Sequence, residues 1–148
     1  MTAFEVAFYV CDYGVVPFWA LLVFLPRARV TSLVVHSIVP ACLLVPTYAW
    51  LLFGDVPGPQ GASFFTLEGV THIFTTPRTI AACWVHYLVF DLFVGAWEAR
   101  DARRRGIPHL ALVPCLLLTL MFGPIGLAAY LALRFGYTRR VSLEEDAL

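Results

Sequence analysis

The sequence predicts an all-α membrane protein, a four-helix transmembrane bundle formed by a single integral membrane domain spanning residues 1–148. Hydrophobic residues make up 60% of the chain and charged residues only 14%, whereas roughly 25% of an ordinary soluble domain is charged. Four apolar runs, each long enough to cross the hydrocarbon core of a bilayer, occupy residues 4–25, 32–53, 79–97 and 110–133. These runs leave almost no sequence for a soluble domain.

The first run is expected to stay in the protein as a membrane span. No basic segment precedes it, it contains Asp12, and no small-residue cleavage site follows it, so it lacks the features of a signal peptide.

Proline residues interrupt three of the four runs and predict kinked helices, because each removes a backbone hydrogen bond. In the fourth run, Gly123-Pro124-Ile125-Gly126 combines such a kink with two residues that lack a Cβ. Another backbone or a flat ligand can approach closely there, although close packing of helices explains the same pattern. Between the second and third runs, residues 62–74 predict a short interfacial or re-entrant helix.

The arginine residues give a predicted orientation in a bacterial inner membrane. By the positive-inside rule, basic loops face the cytoplasm, which places both termini outside, although three C-terminal arginines count against this. A net charge of zero argues against a nucleic-acid partner. The loop arginines are Arg27, Arg29, Arg100, Arg103, Arg104 and Arg105, and those after the last run are Arg134, Arg139 and Arg140.

The third run carries the strongest candidate for chemistry, Asp91. An ionisable side chain inside a membrane span costs a few kcal/mol, so it generally faces the bundle interior or a cavity and is functional. At about 100° per residue, Trp84, Asp91 and Glu98 share one stripe of the helix. The structural alternative is an ion pair from Asp91 to Arg78 or Arg134 that locks the bundle.

His86 is the second candidate, as a proton shuttle, a metal or haem ligand, or a polar residue satisfied across a helix interface. It points about 140° away from Asp91, so the two side chains are not expected to touch directly. Asp12 and His36, together with Glu68 and His72, are further candidates for lining one polar cavity.

Glu68 and His72 lie four residues apart and therefore share one face of the predicted short helix. The pair suits two ligands of one metal, or a carboxylate that orients an imidazole, but an exposed interfacial pair is the favoured explanation. A catalytic metal would need a third ligand, which only His86, Asp91 or Asp12 could supply, so we predict no metal site. The sequence identifies no cofactor. Trp84 and Tyr87 beside the histidine suit a groove for an elongated polyene or isoprenoid, or simply aromatic packing.

The segment 81–93, with its Trp-x-His-x-Leu-x-x-Asp-Leu-Phe core, and the later Gly123-Pro124-Ile125-Gly126 resemble the abscisic acid deficient four-like family. These are small membrane proteins whose plant members are required for neoxanthin formation. The resemblance implies functional roles for Trp84, His86, Asp91 and Phe93.

We therefore expect an intramembrane acid/base site that acts on, or binds, a carotenoid or isoprenoid lipid as an isomerase-type enzyme. Asp91 and His86 are the predicted catalytic residues. The main alternative is a non-catalytic carotenoid-, retinoid- or lipid-binding or scaffold protein. A third is a small transporter or haem carrier that uses His36 and His86. A homo-oligomer is compatible with the small residues of the predicted helices. The predicted substrate-binding residues are Trp84, Tyr87, Phe93, Gly123 and Pro124.

Overall fold

The computed structural model describes residues 1–54 and 58–143, and this part of the chain is helical without strands, which confirms the all-α prediction. Seven helices lie within these ranges. They are α1 (Ala3–Phe24), α2 (Arg29–Val34), α3 (Val39–Phe53), α4 (Leu67–Ile73), α5 (Pro77–Arg104), α6 (His109–Phe122) and α7 (Pro124–Thr138).

Helix α5 is the centre of the molecule, because α1, α3, α6 and α7 all pack against it. It begins at Pro77, directly after Thr76, whose side chain accepts a hydrogen bond from the backbone of Thr79. Among the described residues, only α1 and α5 are both long and apolar enough to cross a membrane, and α3 and α6 are shorter apolar helices. The predicted bundle of four complete spans is therefore supported only in part.

The predicted second span, 32–53, is interrupted in the structure. Helix α2 ends at Val34 and α3 begins at Val39, with the Ser37 hydroxyl accepting a hydrogen bond from the backbone N–H of Val39. Pro40 follows in the first turn of α3, a position where its missing N–H costs nothing. The 15 residues of α3 extend for about 22 Å, which is shorter than the hydrocarbon core of about 30 Å.

The predicted fourth span, 110–133, is wrong as a single helix, because the chain reverses direction at Gly123. This residue has a φ of 42°, and a Cβ added three residues later, at Gly126, would overlap the backbone nitrogen of Thr119. The start of α7 lies beside Asp91, near the middle of α5, whereas its far end contacts Asp101. Helices α6 and α7 thus form an antiparallel hairpin, here called the α6–α7 hairpin.

The reversal also changes the predicted topology. The end of α1 and the start of α6 lie at the same end of the bundle, where His109 forms a hydrogen bond with the carbonyl of Val23. The C-terminal end of α7 returns to this same end. The termini of the described chain therefore lie at opposite ends, and the prediction of both termini on one side is wrong. We call the end of the bundle that holds His109 and the end of α7 the arginine end. It carries Arg27, Arg29, Arg100, Arg103, Arg104, Arg105, Arg134, Arg139 and Arg140.

The short helix predicted within residues 62–74 is present as α4. The Thr66 side chain caps it by accepting a hydrogen bond from the backbone of Gly69, and Gly69 packs tightly against Ser63.

Large apolar side chains cover the outside of the bundle as well as its core. Water-soluble monomers rarely expose contiguous apolar patches larger than a few hundred Å², so this surface is typical of helices that face lipid. Exposed examples are Leu33, Leu43, Phe53, Phe90, Phe93, Met121, Phe122, Ile125 and Phe135.

The hairpin makes a testable prediction about topology. With Cys42 and Cys83 replaced by serine, we expect Arg103→Cys and Val141→Cys to react with a membrane-impermeant thiol reagent from the same side, and Gln60→Cys from the other side. The measurement is labelling of intact and opened membrane vesicles. Labelling of Val141→Cys together with Gln60→Cys would contradict the hairpin.

Candidate functional site

A cleft of about 280 Å³ lies between α5 and the tip of the α6–α7 hairpin, and we call it the tip cleft. It brings together five of the residues selected from the sequence, namely His86, Tyr87, Asp91, Gly123 and Pro124. Most of its wall is apolar. The complete lining is His86, Tyr87, Phe90, Asp91, Val94, Gly123, Pro124 and Leu127.

Asp91 is partly buried against the turn of the hairpin. A Cβ at Gly123 would lie 2.7 Å from its Oδ1 atom, so only glycine leaves room for the carboxylate here. No hydrogen bond or ion pair joins Asp91 to another residue in the described ranges. Arg78 instead donates to the carbonyls of Leu52 and Gly54, and Arg134 pairs with Asp101, so neither forms the predicted ion pair with Asp91.

His86 lies at the opposite edge of the tip cleft. Its ring packs against Phe90 at 4.6 Å and Tyr48 at 5.7 Å between ring centroids. His86 and Asp91 are separated by about 140° around the helix. The cleft extends over this whole sector of α5, and Tyr87, Phe90 and Val94 lie between them. The two groups therefore face one cavity without direct contact.

Trp84 and Phe93 are placed elsewhere. Trp84 Nε1 donates a hydrogen bond to Asp12 Oδ1 at 2.9 Å, and its ring packs against Phe8. Phe93 lines a separate pocket that also contains His36. The four residues of the motif therefore do not form one site. His86 and Asp91 line the tip cleft, Phe93 lines the other pocket, and Trp84 forms a hydrogen bond between helices.

The predicted polar cavity of Asp12, His36, Glu68 and His72 does not form. Asp12 is bound to Trp84, and His36 interacts with Arg100, which lies about 24 Å further along α5 than Trp84. His86 and Arg100 are separated by about 21 Å on the same helix, so His36 and His86 do not face each other as haem ligands would.

Glu68 is exposed on α4, while His72 lies beside Gly61. Within residues 1–54 and 58–143, no group of three His, Cys, Asp or Glu side chains is arranged to hold a metal ion.

A buried polar network that the sequence analysis did not identify fastens the hairpin to α5. Asp101 accepts hydrogen bonds from the hydroxyl of Tyr130 at 2.6 Å, from Nε of Arg134 at 2.9 Å and from Nε of Arg105 at 2.8 Å. Asp101 and Arg134 are each only 2% exposed. The sequence signal was the spacing of Tyr130 and Arg134, which places both on one face of a helix.

A second buried polar contact between α5 and the hairpin lies on the predicted stripe of α5. Glu98 is fully buried, and the hydroxyl of Thr119 contacts both of its carboxylate oxygens, at 3.0 and 3.2 Å. Asp91 and Glu98 therefore both face the end of α6, at Gly123 and Thr119 respectively.

These features define a class of protein: a small helical bundle with span-length apolar helices and a carboxylate–imidazole cleft at the tip of a broken helix. Residues 6–130 match the family described as ABA DEFICIENT 4-like, and the chain therefore belongs to that family, which confirms the resemblance found in the sequence. The relative named "Protein ABA DEFICIENT 4, chloroplastic", from Arabidopsis thaliana, is 29% identical over 124 residues, covering 79% of this chain and 55% of its own length. The chain thus spans about half the length of that relative. No solved structure matches this chain.

Substitution of Gly123 tests the close approach at the cleft. We expect Gly123→Ala to lower the free energy of unfolding by about 1–3 kcal/mol, because a Cβ would strain the backbone and displace Asp91. Gly136→Ala is the matched control, since nothing lies within 4 Å of a Cβ there and alanine favours a helix by up to about 1 kcal/mol. Thermal denaturation in detergent measures both, and equal stability of the two variants would contradict the assignment.

The Asp101 network gives a second stability prediction. Asp101→Asn leaves the buried charge of Arg134 without its carboxylate, and loss of one partner from a buried ion pair typically costs about 3–5 kcal/mol. The exposed Glu68→Gln should change the stability by less than about 0.5 kcal/mol. Denaturant unfolding followed by circular dichroism compares the two, and a stable Asp101→Asn variant would show that the network does not hold the hairpin.

Proposed function

We propose that this protein is a membrane enzyme that isomerises a carotenoid or related isoprenoid lipid by acid/base chemistry between Asp91 and His86. The observation that carries the proposal is the position of Asp91 in a mostly apolar cleft, without a polar protein partner among the described residues and opposite His86. A carboxylate in this setting is available to exchange a proton with a ligand.

Insertion into a membrane is part of the proposal. It is supported by the two span-length helices and by the apolar side chains on the outer surface. Because Asp91 lies near the middle of α5, it would then lie near the bilayer midplane. An ionisable group at that depth is costly and by default functional.

The size of the tip cleft suggests how a long isoprenoid would bind. Its volume of about 280 Å³ is at the lower limit of ligand pockets, which typically enclose about 300–1,000 Å³. The cleft therefore suits one end group of the molecule. The remaining chain would lie against the exposed rings of Tyr87 and Phe90 and continue into the surrounding lipid.

The family resemblance to proteins required for neoxanthin formation suggests an epoxide-bearing end group. In such a reaction, an acid donates a proton to the epoxide oxygen while the C–O bond breaks. A base removes a proton from the adjacent polyene carbon, and the released electron pair completes an allene. One proton is added and one is removed, so substrate and product are isomers, and Asp91 and His86 supply the two groups required.

A non-catalytic carotenoid-, retinoid- or lipid-binding protein, or a scaffold, is the second candidate. It is favoured by the openness of the tip cleft, because His86 and Tyr87 are both exposed on the bundle surface. This alternative predicts that a ligand is retained during purification and never converted.

Replacement of the carboxylate separates these functions. We expect Asp91→Asn to reduce turnover of an epoxycarotenoid by about 10²–10⁴-fold, the usual contribution of a general acid or base, while the helical content and the bound ligand stay unchanged. The measurements are chromatography of the products and the absorption spectrum of the purified protein.

Glu5→Gln is the matched control, because it makes the same change from acid to amide at the exposed start of α1, far from the cleft. Turnover that persists in Asp91→Asn would refute the acid/base role. Retained carotenoid without conversion in the unmodified protein would instead favour the binding function.

A further inference from the structure

A second pocket, of about 210 Å³, lies between the α2–α3 link and α5. It is polar at the arginine end, where His36, Ser37 and Arg100 surround it, and apolar over the rest of its wall. We call it the link pocket. Its apolar lining consists of Val35, Pro40, Ala41, Leu44, Val89, Leu92, Phe93 and Ala96.

The polar end of the link pocket holds a guanidinium in contact with an imidazole. Nη1 of Arg100 lies 3.2 Å from Nδ1 of His36. Burial, followed by the charges of Arg100 and Arg103, lowers the pKa of His36, which lies between helices α2 and α3. Because a guanidinium can only donate, Nδ1 of His36 accepts from Arg100, which leaves the ring proton on Nε2 as a donor.

No hydrogen bond from Nε2 of His36 is present within the described part of the chain. The hydroxyl of Ser37, in contrast, is already engaged, donating to the carbonyl of Val34 and accepting from the backbone of Val39. His36 thus offers an N–H donor here, beside the positive charge of the Arg100 guanidinium.

The apolar part of the link pocket extends away from these donors. Along α5, Val89 lies about 16 Å from Arg100, and the exposed ring of Phe93 stands between the two levels. An occupant that satisfies both parts carries an anionic group at the arginine end and an apolar chain directed towards the middle of the bundle.

We propose that the link pocket binds one anionic phospholipid, with its phosphate at Arg100 and His36 and an acyl chain along Leu44, Val89 and Phe93. A phospholipid combines both chemical features at the observed spacing, and basic pockets between membrane helices are typical sites for anionic headgroups. The inference rests on the membrane insertion proposed above, but not on the acid/base role of Asp91.

The experiment uses the full chain in a neutral detergent. We expect phosphatidylglycerol to raise the Tm by roughly 3–6 °C at saturation and to remain bound to the protein in native mass spectrometry. Phosphatidylcholine with the same acyl chains and inorganic phosphate alone should have little effect. An equal response to either of them would overturn the proposal.

Three variants test where the lipid binds. Arg100→Gln should weaken phosphatidylglycerol binding about tenfold, whereas Arg29→Gln, which removes an equal charge from an exposed position at the same end, should not. If Arg100→Gln does not fold, Ala41→Phe provides the test, because Ala41 is exposed on the pocket wall and a ring there obstructs the chain. Unchanged affinity in Ala41→Phe, or an equal loss in both arginine variants, would refute the site.

The outcomes also separate the two proposals. If the protein shows no preference for phosphatidylglycerol but converts a carotenoid, only the lipid site is refuted. Absence of turnover with the lipid site intact refutes only the proposed reaction.

Discussion

The contact between Asp101 and Arg134 is the interaction on which the remaining structure depends. A helix that continued straight beyond Phe122 would carry Arg134 away from α5, so this ion pair forms only if the chain reverses at Gly123. Burial of two charges is unfavourable unless their hydrogen bonds are satisfied, and here Tyr130 and Arg105 supply further donors to the same carboxylate. The pair therefore selects the hairpin over a single long helix, and the hairpin in turn places its tip beside Asp91.

The two carboxylates that face α6 show what this placement achieves. Glu98 is opposite Thr119, whose hydroxyl is close enough to bind it, and the group is fully enclosed. Asp91 is one stripe position away and faces a glycine and a proline, which offer no side-chain donor. The same helix face thus holds one carboxyl group with a hydrogen-bond partner and one that has none within the described part of the chain. This contrast is the physical basis for proposing chemistry at Asp91 and a structural role for Glu98.

The helical class, the short helix α4 and the stripe that carries Asp91 could be predicted because they depend on local composition and spacing. The reversal at Gly123 could not, since hydropathy measures only the length of an apolar run and a Gly-Pro pair also fits a kinked span. The deciding contact joins residues 33 positions apart, and Asp101 lies beyond the predicted end of the third span at residue 97. That His86 and Asp91 line one cleft could not be predicted either, because it depends on how wide the cleft is. Their angle on the helix was estimated correctly, but the arc covered by the cleft is set by the position of α7.

The reversal also removes an inconsistency in the distribution of charge. With four complete spans, Arg134, Arg139 and Arg140 would lie on the opposite side from the loop arginines. With the hairpin, nine of the ten arginines lie at one end and only Arg78 lies at the other, where it binds the carbonyls at the end of α3. In membrane proteins, the end that is richer in arginine generally faces the cytoplasm, and anionic lipids are attracted to that end. The two pockets therefore lie at different levels of α5: the link pocket opens at the charged end, beside Arg100, whereas the tip cleft lies at Asp91, near the middle of the helix.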